Sequence, residues 1–209
     1  MKLLLILTMF FVGCVTTDIK PTTPKQPDIV SPETPAQVVD STPDSPAAEF
    51  GSVAPLAFEG TKYWSESWDK ALKGEIAKYD WRGVQNLCKQ LKIEDCVAQL
   101  ISKMTQYESS FNPSVKYEEG GDLKGVTSRG LLQISIVSSK SYGCGFSNEQ
   151  EIHNPEKNLQ CGVKIVHRWA KEYKILIGKD KYSGCGRYWS VCRPTSGSYK
   201  KIKAYMEMF

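Results

Sequence analysis

Residues 94–113 have the sequence EDCVAQLISKMTQYESSFNP, and this stretch decides the fold of the domain around it. Its apolar side chains recur at helical spacing and form one face: Val97, Leu100, Ile101 and Met104. The pattern predicts a helix over 94–107 that ends before Ser109 and Pro113, since proline cannot continue a helix. Glu108 therefore comes at the C-terminal end of an apolar helix.

Helical patterns continue on both sides of this stretch, with one exception. Apolar spacing predicts further helices over 63–79, 80–91, 131–139 and 155–173. In the last of these, Asn154 is the expected N-cap and Pro155 the first helical residue. Residues 114–127 are rich in glycine and charge and predict a small β-hairpin. The expected fold class is mostly α, with one small β lobe.

Proline and charge divide the chain into an arm and a domain. Eight of the eleven prolines lie at or before Pro55, and residues 15–58 carry a net charge of −4, whereas residues 59–209 carry +7. The arm has too little apolar surface to offset its ordering entropy, so we expect residues 14–58 to be a disordered tether. The 41% hydrophobic content excludes wholesale disorder and a multi-span membrane protein, and it leaves one basic domain over 59–209.

The amino terminus has the composition of an export signal. A lysine precedes a short apolar run, over residues 3–12, that cannot span a bilayer, and Gly13-Cys14 follows. This arrangement resembles a bacterial lipobox, with Phe11 in the place of its usual leucine. The resemblance implies that residues 1–13 are removed and that Cys14 is lipidated. The residue after this cysteine is Val15 rather than the aspartate that retains lipoproteins in the inner membrane. The resemblance therefore implies sorting to the outer membrane, facing the periplasm. An ordinary signal peptide and a secreted product are the alternative.

Cysteine content is typical of an exported domain. Apart from Cys14 there are six cysteines, which allow 15 disulfide connectivities. Short-range pairing would join Cys88 to Cys96, Cys144 to Cys161 and Cys185 to Cys192. A zinc site is not indicated, because no cysteine pair has CxxC spacing and the sequence offers only two histidines, His153 and His167, as additional ligands. No metal or organic cofactor is implied.

Three motifs follow one another in the domain: ESSFNP at 108–113, SRGLLQIS at 128–135, and an N-x-x-x-G pattern with Asn158 and Gly162. Together they resemble the soluble lytic transglycosylase (SLT) domain family of the lysozyme-like superfamily, over roughly residues 95–205. The resemblance implies a helical body and a small β lobe that form a cleft. It also implies cleavage of the β-1,4 bond between N-acetylmuramic acid and N-acetylglucosamine in peptidoglycan.

Glu108 is the catalytic acid that the resemblance implies. Proton donation near neutral pH requires a carboxyl group with a raised pKa, and the apolar residues Phe111, Leu131 and Leu132 are candidates to desolvate it. In this family one glutamate protonates the glycosidic oxygen and then removes a proton from the 6-hydroxyl of the muramic acid. The expected product is a 1,6-anhydromuramyl sugar.

Two other functions remain open from the sequence. A true lysozyme would hydrolyse the same bond and needs a second carboxylate to activate water. The candidates are Asp122 and Glu119, beside Glu118, and the alternative is that all three belong to a solvated loop. A catalytically silent domain that only binds peptidoglycan is the other possibility, although such a domain has no need of Glu108.

Further cleft residues follow from the motifs. Gln133 is expected to hydrogen-bond sugar groups in the cleft, Ser128 to bind substrate or to orient Glu108, and Tyr188 to line the cleft and bind substrate. Trp189 is equally suited to stacking on a sugar and to packing in the core. The domain is basic, and its arginines include Arg129, Arg187 and Arg193. This charge suits an acidic polymer such as peptidoglycan. Nucleic acid is not the expected partner, because an exported protein does not normally meet it. We expect a monomer.

Overall fold

The structure is a computed structural model that describes residues 54–209, apart from the side chain of Asp122. Its α-helices are α1 (Glu66–Ile76), α2 (Ile93–Ser109), α3 (Ile136–Ser141), α4 (Pro155–Tyr173) and α5 (Gly197–Met206). Its strands are β1 (Lys116–Glu118), β2 (Thr127–Arg129) and β3 (Ile134–Ser135), which form one antiparallel sheet in chain order. The predicted fold class, a helical body with a small β lobe, is confirmed.

Helix α2 runs through the centre of the core. Its residues Leu100, Ile101 and Met104 are fully buried, and it packs against α1, α4 and α5. The core also includes Leu56 and Phe58, which precede the expected start of the domain at residue 59. Their apolar side chains are buried because they close the α1 side of the core, where Phe58 meets Trp68 edge to face at 5.6 Å.

Helix α4 begins where the sequence predicts. The Asn154 side chain accepts a hydrogen bond from the Lys157 backbone N–H at 2.8 Å, and Pro155 occupies the first turn. An N-cap of this kind satisfies one of the four free N–H groups of a helix N-terminus. The helix then runs to Tyr173 and packs along α1.

The helix predicted over 80–91 is absent, and that prediction is wrong. Gly83 has φ +78, outside the helical region, and the Gln85 N–H donates to Lys174 O at 2.8 Å in an isolated bridge between Gln85 and Ile175. Asn86 accepts from the Cys88 N–H at 3.0 Å. These bonds satisfy the backbone without a helix, while the apolar side chains still reach the core.

The helix predicted over 131–139 is also wrong in its first half. Gly130 and Gln133 both have positive φ, +75 and +47, so the chain turns sharply before it can form a helix. Ile134 and Ser135 then pair with β2, and α3 begins only at Ile136.

Three disulfides link cysteines that are neighbours along the chain: Cys88–Cys96, Cys144–Cys161 and Cys185–Cys192. This is the short-range pairing among the fifteen possible. Cys14, the predicted signal sequence and the tether up to residue 53 lie outside the described residues. Within 54–209, none of the helices is long and apolar enough to cross a membrane.

Candidate active site

A cleft of about 410 Å³ opens between the helical body and the small sheet. The end of α2 contributes Glu108, and the sheet and its turns contribute further walls. The segment 187–193, which includes a short 3-10 turn at Ser190–Cys192, closes the far side. The structure brings together five of the residues that the sequence singled out: Glu108, Glu119, Ser128, Gln133 and Tyr188.

Glu108 lies in the last turn of α2, and its Oε1 atom is buried without a hydrogen-bond partner among the described residues. Burial, together with the nearby charge of Glu119 as a smaller cause, raises the pKa of this carboxyl group to about 8. The negative end of the α2 dipole acts in the same direction. Glu108 is therefore protonated at neutral pH, as a proton donor must be.

The ESSFNP motif ends α2 and turns the chain away from it. Ser110 and Phe111 both adopt left-handed conformations, with φ 51 and 63. Two non-glycine residues in this region cost about 1–2 kcal/mol each. The Phe111 N–H donates to Thr105 O at 3.3 Å, and the Ser109 hydroxyl donates to the same carbonyl at 3.1 Å, which fixes the helix end beside Glu108.

Glu119 is the second carboxylate in the cleft. It follows β1 directly, and its Oε1 accepts a hydrogen bond from the Ser128 hydroxyl at 2.5 Å. The prediction that Ser128 orients Glu108 therefore needs correction, because that hydroxyl is bonded to Glu119 across the hairpin. Ser128 still lines the cleft, and it acts on Glu108 only through Glu119.

The other two acidic candidates differ in position. Glu118 lies on the exposed face of β1, where its carboxylate accepts hydrogen bonds from Thr127 Oγ1 at 2.9 Å, and it does not line the cleft. Successive residues of a strand point to opposite faces, so Glu118 and Glu119 cannot both enter the cleft. The backbone of Asp122 lies in a short 3-10 turn at Gly121–Leu123, and its side chain is outside the described part.

Gln133 is fixed by its amide nitrogen. Its Nε2 donates to Gly130 O at 2.7 Å and to Val115 O at 3.2 Å, while its Oε1 is buried without a partner in the described part of the chain. An acceptor of this kind is suited to an N–H or O–H group of a bound sugar. Gln133 thus has the position and the free atom that a substrate-binding role requires.

Asn158 and Gly162 hold the turn that carries Gln133, a role that sequence reasoning did not identify. Asn158 is fully buried; its Oδ1 accepts from the Leu132 N–H at 2.9 Å, and its Nδ2 donates to Ile152 O at 3.0 Å. A Cβ at Gly162 would overlap the side chain of Leu132. The N-x-x-x-G pattern on α4 is therefore a support for the cleft rather than a part of its lining.

Tyr188 and Trp189 form part of the far wall and differ in exposure. The pKa of Tyr188 is raised to about 12, chiefly by burial, so its hydroxyl stays protonated, and Tyr188 lines the same cleft as Glu108. Trp189 is only 3% exposed, and its Nε1 donates to Leu132 O at 2.8 Å. Core packing thus accounts for most of the Trp189 ring.

Neither histidine belongs to the cleft lining. His153 Nδ1 lies 2.9 Å from Pro113 O, and His167 packs against the rings of Tyr79 and Trp81. Within residues 54–209 there is no group of three or more histidine, cysteine or acidic side chains placed to hold a metal ion.

Comparison with known proteins shows which domain and which solved structures this chain is similar to. Residues 87–183 match the model of the transglycosylase SLT domain. The solved wild-type structure of Bd0314 DslA is 29% identical with a TM-score of 0.63, over 74% of this chain and 96% of that one. Two DslA structures with one glutamate replaced by glutamine also match at 29% identity. The first has a TM-score of 0.62 over 73% of this chain and 94% of that one. The second has a TM-score of 0.63 over 74% of this chain and 96% of that one. No curated protein sequence matches the chain.

Three findings agree: the helical body with its β lobe, the buried glutamate at the end of α2, and the matched family model. Similarity to the SLT domain implies lytic transglycosylase-type activity on the glycan strands of peptidoglycan. Residues 87–183 are thus similar to the transglycosylase SLT domain, and the described part of the chain has a lysozyme-like fold similar to that of Bd0314 DslA.

Proposed function

We propose that this domain cleaves the β-1,4 bond between N-acetylmuramic acid and N-acetylglucosamine, with Glu108 as the proton donor. One observation carries the proposal: Glu108 lines the cleft, has a buried Oε1 without a described partner, and has a pKa raised to about 8. A protonated carboxyl group is what the departing glycosidic oxygen needs at neutral pH.

In the first candidate reaction, Glu108 acts alone. Its proton goes to the glycosidic oxygen as the bond to the muramic acid C1 breaks. The resulting Glu108 carboxylate then removes the proton of the muramic acid 6-hydroxyl, whose oxygen bonds to C1 and closes the 1,6-anhydro ring. Glu108 ends protonated again, and no water is consumed. The family match supports this reaction.

The second candidate reaction is hydrolysis, and the position of Glu119 favours it. Glu119 lines the same cleft, its charge acts on Glu108, and the Ser128 hydroxyl holds its carboxylate. An ionised carboxylate opposite the acid activates water in an inverting glycosidase. The two substituted glutamates of DslA lie eleven positions apart, as Glu108 and Glu119 do. This spacing supports a pair of working glutamates.

Mass spectrometry of the fragments released from purified peptidoglycan sacculi tests both reactions. We expect wild-type protein to release fragments and Glu108→Gln to release none. Anhydro ends, one water lighter than reducing ends, support the first reaction. Reducing ends that disappear in Glu119→Gln support the second.

Glu118→Gln is the matched control for these variants. This variant makes the same replacement, carboxylate to amide, in the residue next to Glu119. Because Glu118 is exposed and lies outside the cleft lining, activity should stay at the wild-type level. If wild-type protein binds sacculi but releases nothing, the domain is a catalytically silent binding module and the proposal is wrong.

We also propose that the protein is exported and anchored by a lipid on Cys14, in the outer membrane facing the periplasm, with a secreted form as the alternative. The sequence of residues 1–14 and the three disulfides of the domain support export. Labelling with a fatty-acid analogue tests the anchor: Cys14→Ala should lose the label and leave the membrane fraction. A label retained in Cys14→Ala would contradict it.

A further inference from the structure

The arginines of the chain fall into two groups. There are five in the whole sequence. Three of them form ion pairs: Arg82 with Asp80, Arg129 with Glu149, and Arg168 with Glu172. The other two are Arg187 and Arg193, which have no carboxylate within ion-pair distance among the described side chains, a set that leaves out Asp122. These same two arginines line the cleft.

Arg187 is held in place by aromatic rings. Its guanidinium carbon lies 5.3 Å from the ring centre of Trp169 and 5.9 Å from that of Tyr182, both within the range of cation–π attraction. Stacking of this kind leaves the edge of the guanidinium plane, with its N–H groups, free for an anion. The side chain is otherwise exposed, so an anion can reach it.

Arg193 is held in place by backbone carbonyls. Its Nε donates to Gly186 O at 2.9 Å, and one terminal nitrogen donates to Tyr188 O at 3.5 Å. A guanidinium group has five N–H donors, so these two bonds orient it without using all of them. Arg187 lies within the loop that the Cys185–Cys192 disulfide closes, and Arg193 follows the loop directly and bonds to two of its carbonyls.

The cleft therefore has walls of opposite charge. Glu119 lies on the sheet side with its carboxylate bonded to Ser128, and neither arginine is within 4.0 Å of it. Two guanidinium groups without a counter-ion among the described side chains are suited to bind carboxylates, often through two parallel hydrogen bonds. In a glycan strand, plain N-acetylglucosamine carries no carboxylate, whereas a muramyl residue carries one on its lactyl group or on the peptide attached to it.

We propose that Arg187 and Arg193 form a subsite for a carboxylate of the muramyl residue, so that the cleft selects muramyl strands over uncharged N-acetylglucosamine polymers. This inference rests on the proposed function and names the group that the same cleft recognises. It predicts that both arginines contribute to binding and not to the chemical step.

Calorimetric binding to the full chain carrying Glu108→Gln tests the subsite without turnover. The probes are a disaccharide with a peptide stem, the same disaccharide with a free lactyl group, and chitotetraose, which has no carboxylate. Loss of a charge-assisted hydrogen bond should weaken stem-bearing disaccharide binding by about tenfold or more in Arg187→Ala or Arg193→Ala. Chitotetraose binding should not change.

The probes distinguish the source of the carboxylate. Weaker binding of the stem-bearing disaccharide alone indicates a peptide carboxylate, and weaker binding of the lactyl disaccharide as well indicates the lactyl group. Arg193→Lys keeps the charge and serves where Arg193→Ala does not fold; it should also weaken binding, because lysine lacks the planar fork. Arg82→Ala removes an equal charge from an ion-paired side chain that is 91% exposed, and should have no effect.

Equal losses for all probes, no loss for any of them, or no binding of the charged disaccharides to the parent protein would overturn the subsite. The proposed function has a separate readout, since fragment release from sacculi is measured with Glu108 intact. If release occurs without an arginine-dependent preference, only the subsite is wrong. If the preference is found without release, only the catalytic proposal is wrong.

Discussion

Replacing Glu119 with glutamine should lower the pKa of Glu108 without returning it to the ordinary value. Burial is the larger cause of the rise from 4.5 to about 8, and the charge of Glu119 is the smaller. The loss of Glu119 therefore removes less than half of the rise, and the pKa of Glu108 in Glu119→Gln should stay above about 6.

The assay is carbon NMR of glutamate carboxyl groups, titrated in wild-type protein, Glu119→Gln and Glu118→Gln. It needs no turnover, so it works even if Glu119 is essential for the reaction. Where variants retain activity, the alkaline limb of the pH–rate profile should move to lower pH by the same amount. Glu118→Gln should leave the titration of Glu108 unchanged, because Glu118 is exposed on the other face of β1.

Two results would refute this reasoning. If Glu119→Gln leaves the pKa of Glu108 at about 8, the two carboxyl groups do not interact, and the hydrolytic reaction loses its main support. If the pKa falls to the ordinary value near 4.5, burial is not the principal cause, and the proposed cleft environment of Glu108 is wrong.

The other predictions concern stability. Because the folded pKa of Glu108 is raised, its contribution to stability is full below pH 4.5 and is lost as the pH rises to about 8. Glu108→Gln does not ionise, so at pH 9 its free energy of unfolding should exceed that of wild type by up to about 5 kcal/mol more than it does at pH 4. Denaturant titrations of both proteins at the two pH values measure this difference. Asn158→Ala should cost about 2–4 kcal/mol and reduce activity, because it leaves the Leu132 N–H and the Ile152 carbonyl without partners in a buried site; an unchanged midpoint would contradict this role. Reduction of the disulfides should lower the melting temperature, with about 2–4 kcal/mol lost per bridge, and an identical melting curve under reducing conditions would count against three formed bridges.

The sequence predicts best where local pattern and tertiary structure agree. Helix α2 has a regular apolar face, and α4 has both an asparagine cap and a first-turn proline, so their bounds are close to those expected. The motif placed Glu108 at the end of α2, and its catalytic role stays a prediction. Residues 80–91 have helical apolar spacing too, but long-range bonds such as that from Gln85 to Lys174 O decide their conformation.

The choice among the acidic candidates depends on strand register, which the sequence does not specify. Pairing of Glu118 with Thr127 and of Tyr117 with Ser128 turns Glu118 to the exposed face, and Glu119 follows on the other. A shift of one residue would exchange them. The bond between Ser128 and Glu119 depends on the same register, so sequence reasoning assigned Ser128 to the wrong carboxylate.

The disulfides have a consequence for how the chain reaches its oxidised form. The bridged cysteines are 8, 17 and 7 positions apart, and each pairs with the next cysteine of the domain along the chain. A chain that emerges from a membrane pore amino-terminus first exposes its thiols in this same order. An oxidant that joins each thiol to the next one to appear produces the native set directly, and closure of such short loops has a low entropic cost. If the chain is exported as proposed, a thiol oxidase alone is expected to form this set of bridges without a disulfide isomerase.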